Sequence, residues 1–369
     1  MRKWLLSLCM VLALVACKDE KSESAKAKPV IKIGATLPLT GDAADVGQAA
    51  RIGLQMTLDE LKKTGLKYDY QLIFEDNQVN PQKVAATVNK LINIDKANAI
   101  ISIWNLMGNI TSALANQKEV ISLACSIGEE TTKGKYNFNA HASNRQQAKM
   151  LVEMLKEQNI KTVALITDNS GMRLQYEEVK NYMAKNSDIQ IVFEEFFNPG
   201  EKDYKAAIIK AAEKNPDIYL YSGYNPSTYI FMKQLKEITG GNNVTTIDMF
   251  GGMPVKDRDI IEGLWYVDSN SDGTDEFKKK LQAEKGIISQ SCTGDSASNL
   301  QIIVAAYENA AVSEGEKIPS NDAVRDWIFA NVEDFDTYGG QMTVVRDGLF
   351  DKKPSIKKMV NRKSVVVNE

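Results

Sequence analysis

The chain has 369 residues, 43% of them hydrophobic and 25% charged, and a formal net charge of -3. That balance is ordinary for a soluble globular chain, and the length allows one large domain or two medium ones, each able to bury a core. The slight acidity, with no basic cluster on any one segment, argues against a nucleic-acid partner.

The first residues read as an export signal outside the fold. Arg2 and Lys3 precede an apolar run from Trp4 to Ala16, which ends in Leu14-Val15-Ala16-Cys17. A basic start, a short apolar stretch and a small residue before the cut make a signal peptide, and the run is too short to span a membrane. LVAC is similar to the lipobox of bacterial lipoproteins, so residues 1–16 are expected to be removed and Cys17 lipidated. An ordinary signal with a chance cysteine is the plainer alternative. Residues 17–29, with the polar run KDEKSESAKAKP, then form a flexible tether.

From Ile31 strands and helices alternate. IKIGATL (31–37) has the apolar run of a strand, and the loop PLTGDAADVG (38–47) leads into a helix over about 47–63. Ile52, Leu54, Met56, Leu58 and Leu61 give that helix a broad apolar face, and Gly65 suits its end. YQLIF (70–74) is the next strand. Asn80-Pro81 supplies an N-cap with proline in the first turn, and Val84, Val88, Leu91 and Ile92 follow at helical spacing. Then come a strand at 98–103, a helix at about 108–118 and a strand at 120–124.

A second run of the same kind starts near Ser143. Ala148, Leu151, Val152 and Leu155 share one helix face, followed by a strand (162–167), a helix (172–185) and a strand (189–195). Tyr204, Ile208 and Ala211 mark a helix before DIYLY (217–221); Asn225-Pro226 opens another, and VTTIDMF (244–250) reads as a strand. The last third predicts helices at 295–314 and 320–331 and strands at 341–345 and 356–367. Apolar strands alternating with helices imply mainly parallel sheets covered on both faces, here in two α/β lobes.

Catalytic signatures are scarce. His141 is the one histidine, which excludes an HExxH zinc site and weakens a Ser-His-Asp triad; a surface or lobe-linker role fits it best. GxSxG is absent, no GxGxxG follows the first strand, and Gly134-Lys135 lacks the rest of a P-loop. Ser355–Lys358 matches SxxK, a pattern too short to carry weight. The paired acids Glu129-Glu130, Glu177-Glu178 and Glu194-Glu195 suit a solvated surface. No catalytic residue, metal site or cofactor is expected. Cys125 and Cys292 lie far apart in sequence; a disulfide is permitted outside the cytoplasm, and two separate buried thiols is the simpler alternative.

One stretch is anomalous. IWNLMGN (103–109) follows a strand, where a chain normally meets water through small polar residues, yet it carries Trp104, Leu106 and Met107.

VIKIGATLPLTGDAADVGQAARIGLQMTLDELKKTG (30–65) resembles the opening of type I periplasmic binding proteins of the branched-chain amino acid (Leu/Ile/Val) family. FEDNQVNPQKVAATVNKLI (74–92), VALITDNS (163–170), NPGEKDYKAAIIKAAEKNPDIYLYSGYNP (198–226) and FGGMP (250–254) extend the likeness, in order, over about 30–365. The resemblance implies an α/β fold of two doubly wound, Rossmann-like lobes joined by three crossovers. Lobe one would hold 30–143 plus 269–338, and lobe two 144–268 plus 339–369. It further implies a monomeric, exported lipoprotein, facing the periplasm or the cell exterior. Held to the membrane by its lipid alone, it would deliver a small ligand to the permease of an ABC importer. A ligand-sensing module for a membrane receptor is the alternative, and an enzyme on the same scaffold a remoter one.

In open α/β sheets ligands bind beyond the carboxyl ends of the strands, which directs attention to six loops. Amino-acid binders of the resembled family place serine hydroxyls and amides after the third strand, and a tyrosine and an acid in lobe two. Here the first position holds Trp104, Asn105, Leu106 and Met107, the next loop keeps only Ser126, and the acidic position falls at Gly251-Gly252-Met253. Val46 replaces an aromatic, Met172 and Arg173 stand for the usual Tyr-Gly, and Tyr224 is retained. The expected site is therefore more apolar, with Val46, Trp104, Leu106, Met107, Met172 and Met253 as walls. Asn105, Ser126, Arg173 and Tyr224 would supply polar contacts to an aromatic or branched carboxylate. Asp45 or Asp168 could replace the missing acid for an amino-acid ligand.

Overall fold

In a computed structural model, residues 27–368 are described, apart from 170, 242, 252 and 346. Residues 1–26, with the export signal and Cys17, lie outside the described residues.

Lobe one opens with β1 (Val30–Leu37), α1 (Ala44–Lys62), β2 (Asp69–Asp76), α2 (Pro81–Asn93), β3 (Ala99–Ile103), α3 (Asn105–Gln117), β4 (Ile121–Cys125) and β5 (Asn137–Asn139). The strands form one parallel sheet in the order β2-β1-β3-β4-β5. Strands β3 and β4 are buried along their whole length, which explains their unbroken apolar runs.

The second run repeats the plan with α4 (Asn144–Glu157), β6 (Thr162–Asp168), α5 (Gly171–Asn186), β7 (Gln190–Phe197), α6 (Lys205–Ala212), β8 (Ile218–Ser222), α7 (Ser227–Thr239), β9 (Val244–Thr245) and β10 (Trp265–Asp268). Its parallel sheet runs β7-β6-β8-β9. A full capping box starts α4, with Ser143 and Gln146 each bonding back across the first turn.

The chain then returns to lobe one through α8 (Asp275–Lys285), α9 (Thr293–Asn309), α10 (Asn321–Asn331) and the short strands β11 (Phe335–Thr337), β12 (Gly340–Val344) and β13 (Phe350–Asp351). It ends on lobe two with β14 (Ser355–Val360) and β15 (Lys363–Asn368), an antiparallel hairpin laid beside β10. Three crossovers therefore join the lobes, at 140–143, 269–274 and 352–354.

Several expected boundaries shift. The lobe-two segment expected from 339 begins later, because Met342 and Phe350 pack into the same core as Ile33, Ile101 and Leu123 of lobe one. Residues 340–351 thus belong to lobe one. The strand expected at 244–250 is only Val244–Thr245 with a single bridge from Ile247 to Val267, since Asp248 turns the chain with φ 63°. The helix expected to run to 314 stops at Asn309.

The two body cysteines are bridged: Cys125 and Cys292 have Cα atoms 5.8 Å apart and an S–S bond. The simpler alternative of separate thiols is therefore corrected. His141 is buried at 4% exposure, in the first crossover, so it is a linker histidine and not a surface one.

Candidate functional site

The carboxyl ends of the two parallel sheets are where the crossovers leave, so the loops there line the space between the lobes. In lobe one the PLTG loop folds tightly over the start of α1. A Cβ on Gly47 would lie 2.0 Å from the Pro38 carbonyl oxygen, so only glycine fits. The loop is pinned by Asp76 at the end of β2, whose Oδ1 accepts the Leu39 amide at 2.8 Å and whose Oδ2 accepts the Thr40 hydroxyl. Burial pushes the Asp76 carboxyl up, but the bonds from Thr40, Leu39 and Gln78 outweigh it and hold the group below the usual carboxylate range.

The anomalous stretch is resolved by its backbone. Trp104 N–H donates to the Cys125 carbonyl at 2.7 Å, prolonging the β3–β4 ladder, while its own carbonyl accepts Gly108 N–H at 2.8 Å and starts α3. One residue thus ends a strand and caps a helix, and it does so at φ 66°, ψ 158°. A tryptophan in that region is strained. The helix expected from 108 begins at Asn105, so the apolar residues lie on a first helical turn.

That turn sorts them. Met107 points inward to pack with Val84, Val88 and Leu91. Leu106 is 50% exposed, and Trp104 is half-buried, touching the cores on both faces of the sheet. Asn105 turns sideways: its Oδ1 accepts the Ser126 hydroxyl at 2.6 Å and the Gly128 amide at 2.7 Å. Asn139 holds the same loop from the other side, through Ser126 N–H at 3.0 Å and Ser126 O at 2.7 Å. Ser126 is buried, and its hydroxyl is committed to this clamp. With its carbonyl engaged, Asn105 can donate to a ligand through its amide.

In lobe two Asp168 ends β6 and is buried, and Ser222 ends β8. Tyr224 follows, with its residue 51% exposed. Desolvation, with the nearby Asp168 carboxylate, pushes its hydroxyl up to about 12. Tyr224 therefore stays a neutral donor. Thr167 and Thr228 stiffen the Ser222–Gly223 turn by donating to its two carbonyls.

The structure brings together some expected site residues and separates others. Asn105 and Ser126 are joined directly, Val46 and Trp104 pack on the same lobe-one core, Leu106 lies on the same helical turn, and Tyr224 follows β8 of lobe two. The three methionines expected on the wall are buried instead. Met107 is 4% exposed in the α2–α3 core, Met253 is 1% exposed beside Phe250 and Ile261, and Met172 is wholly buried. Long apolar side chains on first turns and tight loops found core space there. Arg173 is exposed and turned to the β7 edge, where its Nη1 donates to Asn169, its Nε lies 3.7 Å from Glu177, and its guanidinium covers the Phe196 ring. The loop clamp made by Asn139 and the Asp76–Thr40 rim had no distinguishing signal in the sequence.

Residues 30–348 match the family profile described as periplasmic binding protein. The chain belongs to this family. Among periplasmic binding proteins, a leucine-, isoleucine-, valine-, threonine- and alanine-binding protein of Pseudomonas aeruginosa is 24% identical over 342 residues, covering 86% of this chain and 88% of the relative. The substrate-binding protein LivJ of Streptococcus pneumoniae, solved with isoleucine, superposes with a TM-score of 0.78 at 20% identity over 92% of this chain and all of that one. A solute-binding protein of R. palustris solved with benzoate gives 0.76 at 15% identity, covering 92% of this chain and 96% of that one. The two-lobe α/β fold of the periplasmic binding proteins is thus common to all of them.

Proposed function

We propose that this protein is an exported solute-binding lipoprotein that captures a small, largely apolar carboxylate between its lobes and hands it to an ABC permease. The observation that carries this reading is the β3–α3 junction. A strained backbone holds Trp104 and Leu106 at the cleft face of lobe one, where an amino-acid binder would use hydroxyls. Val46 adds to that apolar side, the Asn105 amide and the neutral Tyr224 hydroxyl offer donors, and the solved relative holding benzoate supports a non-amino-acid ligand. Cys17 carries the lipid in this reading, at the end of the tether. Hinge closure on ligand, rather than bond chemistry, is the working step.

The test is a thermal-shift panel on residues 18–369 with leucine, valine, benzoate and branched aliphatic acids. A ligand at one hundred times its Kd stabilises by about 2.7 kcal/mol. Stabilisation by an aromatic or branched acid is expected; strong stabilisation by leucine or valine alone would overturn the apolar-carboxylate reading. For the anchor, Cys17→Ala should move the protein from the membrane fraction to the soluble one, and an unchanged fraction refutes lipidation.

A further inference from the structure

All three crossovers meet in a cluster of charges around His141. The ring lies in the first crossover with its Nδ1 3.4 Å from Asp295 Oδ2 on α9, a lobe-one helix, and its Nε2 3.6 Å from Asp248 Oδ2, in the lobe-two turn after β9. Asp295 is in turn paired with Lys352 of the third crossover, whose Nζ also donates to the Asn270 carbonyl of the second at 2.9 Å. Asp248 reaches the second crossover too, its Oδ1 accepting Ser269 N–H at 2.6 Å. One imidazole thus stands between a carboxylate of each lobe.

The remaining neighbours bear on that balance less directly, Lys357 through its charge on Asp248 from beyond pairing distance. Cys125 Sγ, 3.7 Å from Nδ1, is locked in the disulfide and does not titrate. Although Cys125, His141 and Asp295 lie within 4.8 Å of one another, the bridged sulfur offers a cation no thiolate. Lys357 of β14 is spoken for by Asp268 at 2.9 Å and Asp272 at 3.9 Å, and Tyr176 of α5 donates to the Tyr221 carbonyl. With a charged ring, His141 and Lys352 match Asp248 and Asp295. With a neutral ring, the buried Asp295 and the partly buried Asp248 lose the cation that lies between them, which is costly. Both ring contacts also exceed the roughly 2.8 Å of a charge-assisted hydrogen bond, so the linkage has slack that a change of lobe angle can take up or extend.

We propose that His141 is a proton-operated clasp at the hinge: as an imidazolium it holds Asp248 of lobe two to Asp295 of lobe one, and on deprotonation it lets the lobes part. Burial alone would push the ring down, but the two aspartates outweigh it and raise it to about 9. The clasp is therefore engaged at neutral pH and sets the resting lobe angle, and wide opening releases a proton. This holds whatever the ligand is.

The test is electron–electron distance measurement on the full chain, disulfide intact, with spin labels through Asp42→Cys and Lys202→Cys, exposed positions on the two lobes. Between pH 7 and pH 10 the inter-lobe distribution should move to longer distances with a midpoint near 9, and His141→Gln should abolish that dependence. Asp248→Asn keeps the ring and removes one charge, so it should lower the midpoint by about one unit or more; it carries the test alone if the glutamine variant does not fold. A distribution unchanged by pH in the parent, the same shift in His141→Gln, or an unmoved midpoint in Asp248→Asn would overturn the clasp.

Discussion

Cys125 and Cys292 lock the last residue of β4 to the residue before α9, across a sequence separation of 167. The bridge therefore joins the strand that leads to the Ser126 loop with the helix that carries Asp295. A loop of that size constrains the unfolded chain by about 5 kcal/mol in the chain-entropy account. Replacing both cysteines by alanine should lower the thermal midpoint markedly, and reductant should do the same to the parent but not to the variant. Equal midpoints with and without reductant would show the bridge to be thermodynamically idle.

The Asn105 carbonyl serves two donors at once. Asn105→Ala leaves the Ser126 hydroxyl and the Gly128 amide without that acceptor in a largely buried loop, so a loss of about 1–3 kcal/mol is expected in urea unfolding. Affinity for whichever acid proves to bind should fall further, because the Ser126 loop and the Asn105 amide are disturbed together. A variant with parental stability would mean that water replaces the clamp.

Trp104 offers a test of backbone strain independent of any ligand. At φ 66° alanine is penalised and glycine is not. Both Trp104→Ala and Trp104→Gly lose the packing of the ring. Trp104→Gly should nevertheless be the more stable of the two by about 1 kcal/mol, the reverse of the usual order. If alanine is the better replacement, the junction relaxes out of its left-handed region at little cost.

The hinge histidine also has a signature in stability. Its pKa is raised from 6.5 in the unfolded chain to about 9 in the fold, so its contribution is complete below pH 6.5 and disappears as pH rises to 9. The full effect is on the order of 3 kcal/mol, at about 1.4 kcal/mol per pH unit. The unfolding free energies of the parent and of His141→Gln should converge across that window. A gap that stays constant from pH 6 to pH 10 would mean the ring stabilises only by packing.

Much of this architecture is legible in the chain because buried parallel strands demand unbroken apolar runs and their helices demand a 3.6-residue period. Asn80-Pro81 announces its helix by capping chemistry, and that helix begins where expected. What the sequence conceals is long-range. Nothing local tells that Met342 and Phe350 return to lobe one, or that Cys125 meets Cys292. Among the candidate site residues, the position of Trp104 follows from the strand it ends, but the burial of Met107, Met172 and Met253 depends on core volume several elements away. His141 looked like a polar loop residue because its partners, Asp248 and Asp295, lie more than a hundred residues along the chain.

β1 is the first strand of lobe one, and the C-terminal hairpin β14–β15 lies on lobe two. If Cys17 carries a lipid as proposed, the attachment reaches lobe one directly and lobe two only through the crossovers. Relative to a surface holding that end, lobe one is the fixed jaw and lobe two the travelling one, swinging on three strands of chain. A permease beside such a surface would meet a stationary half at a set height and sense occupancy from where the other half comes to rest.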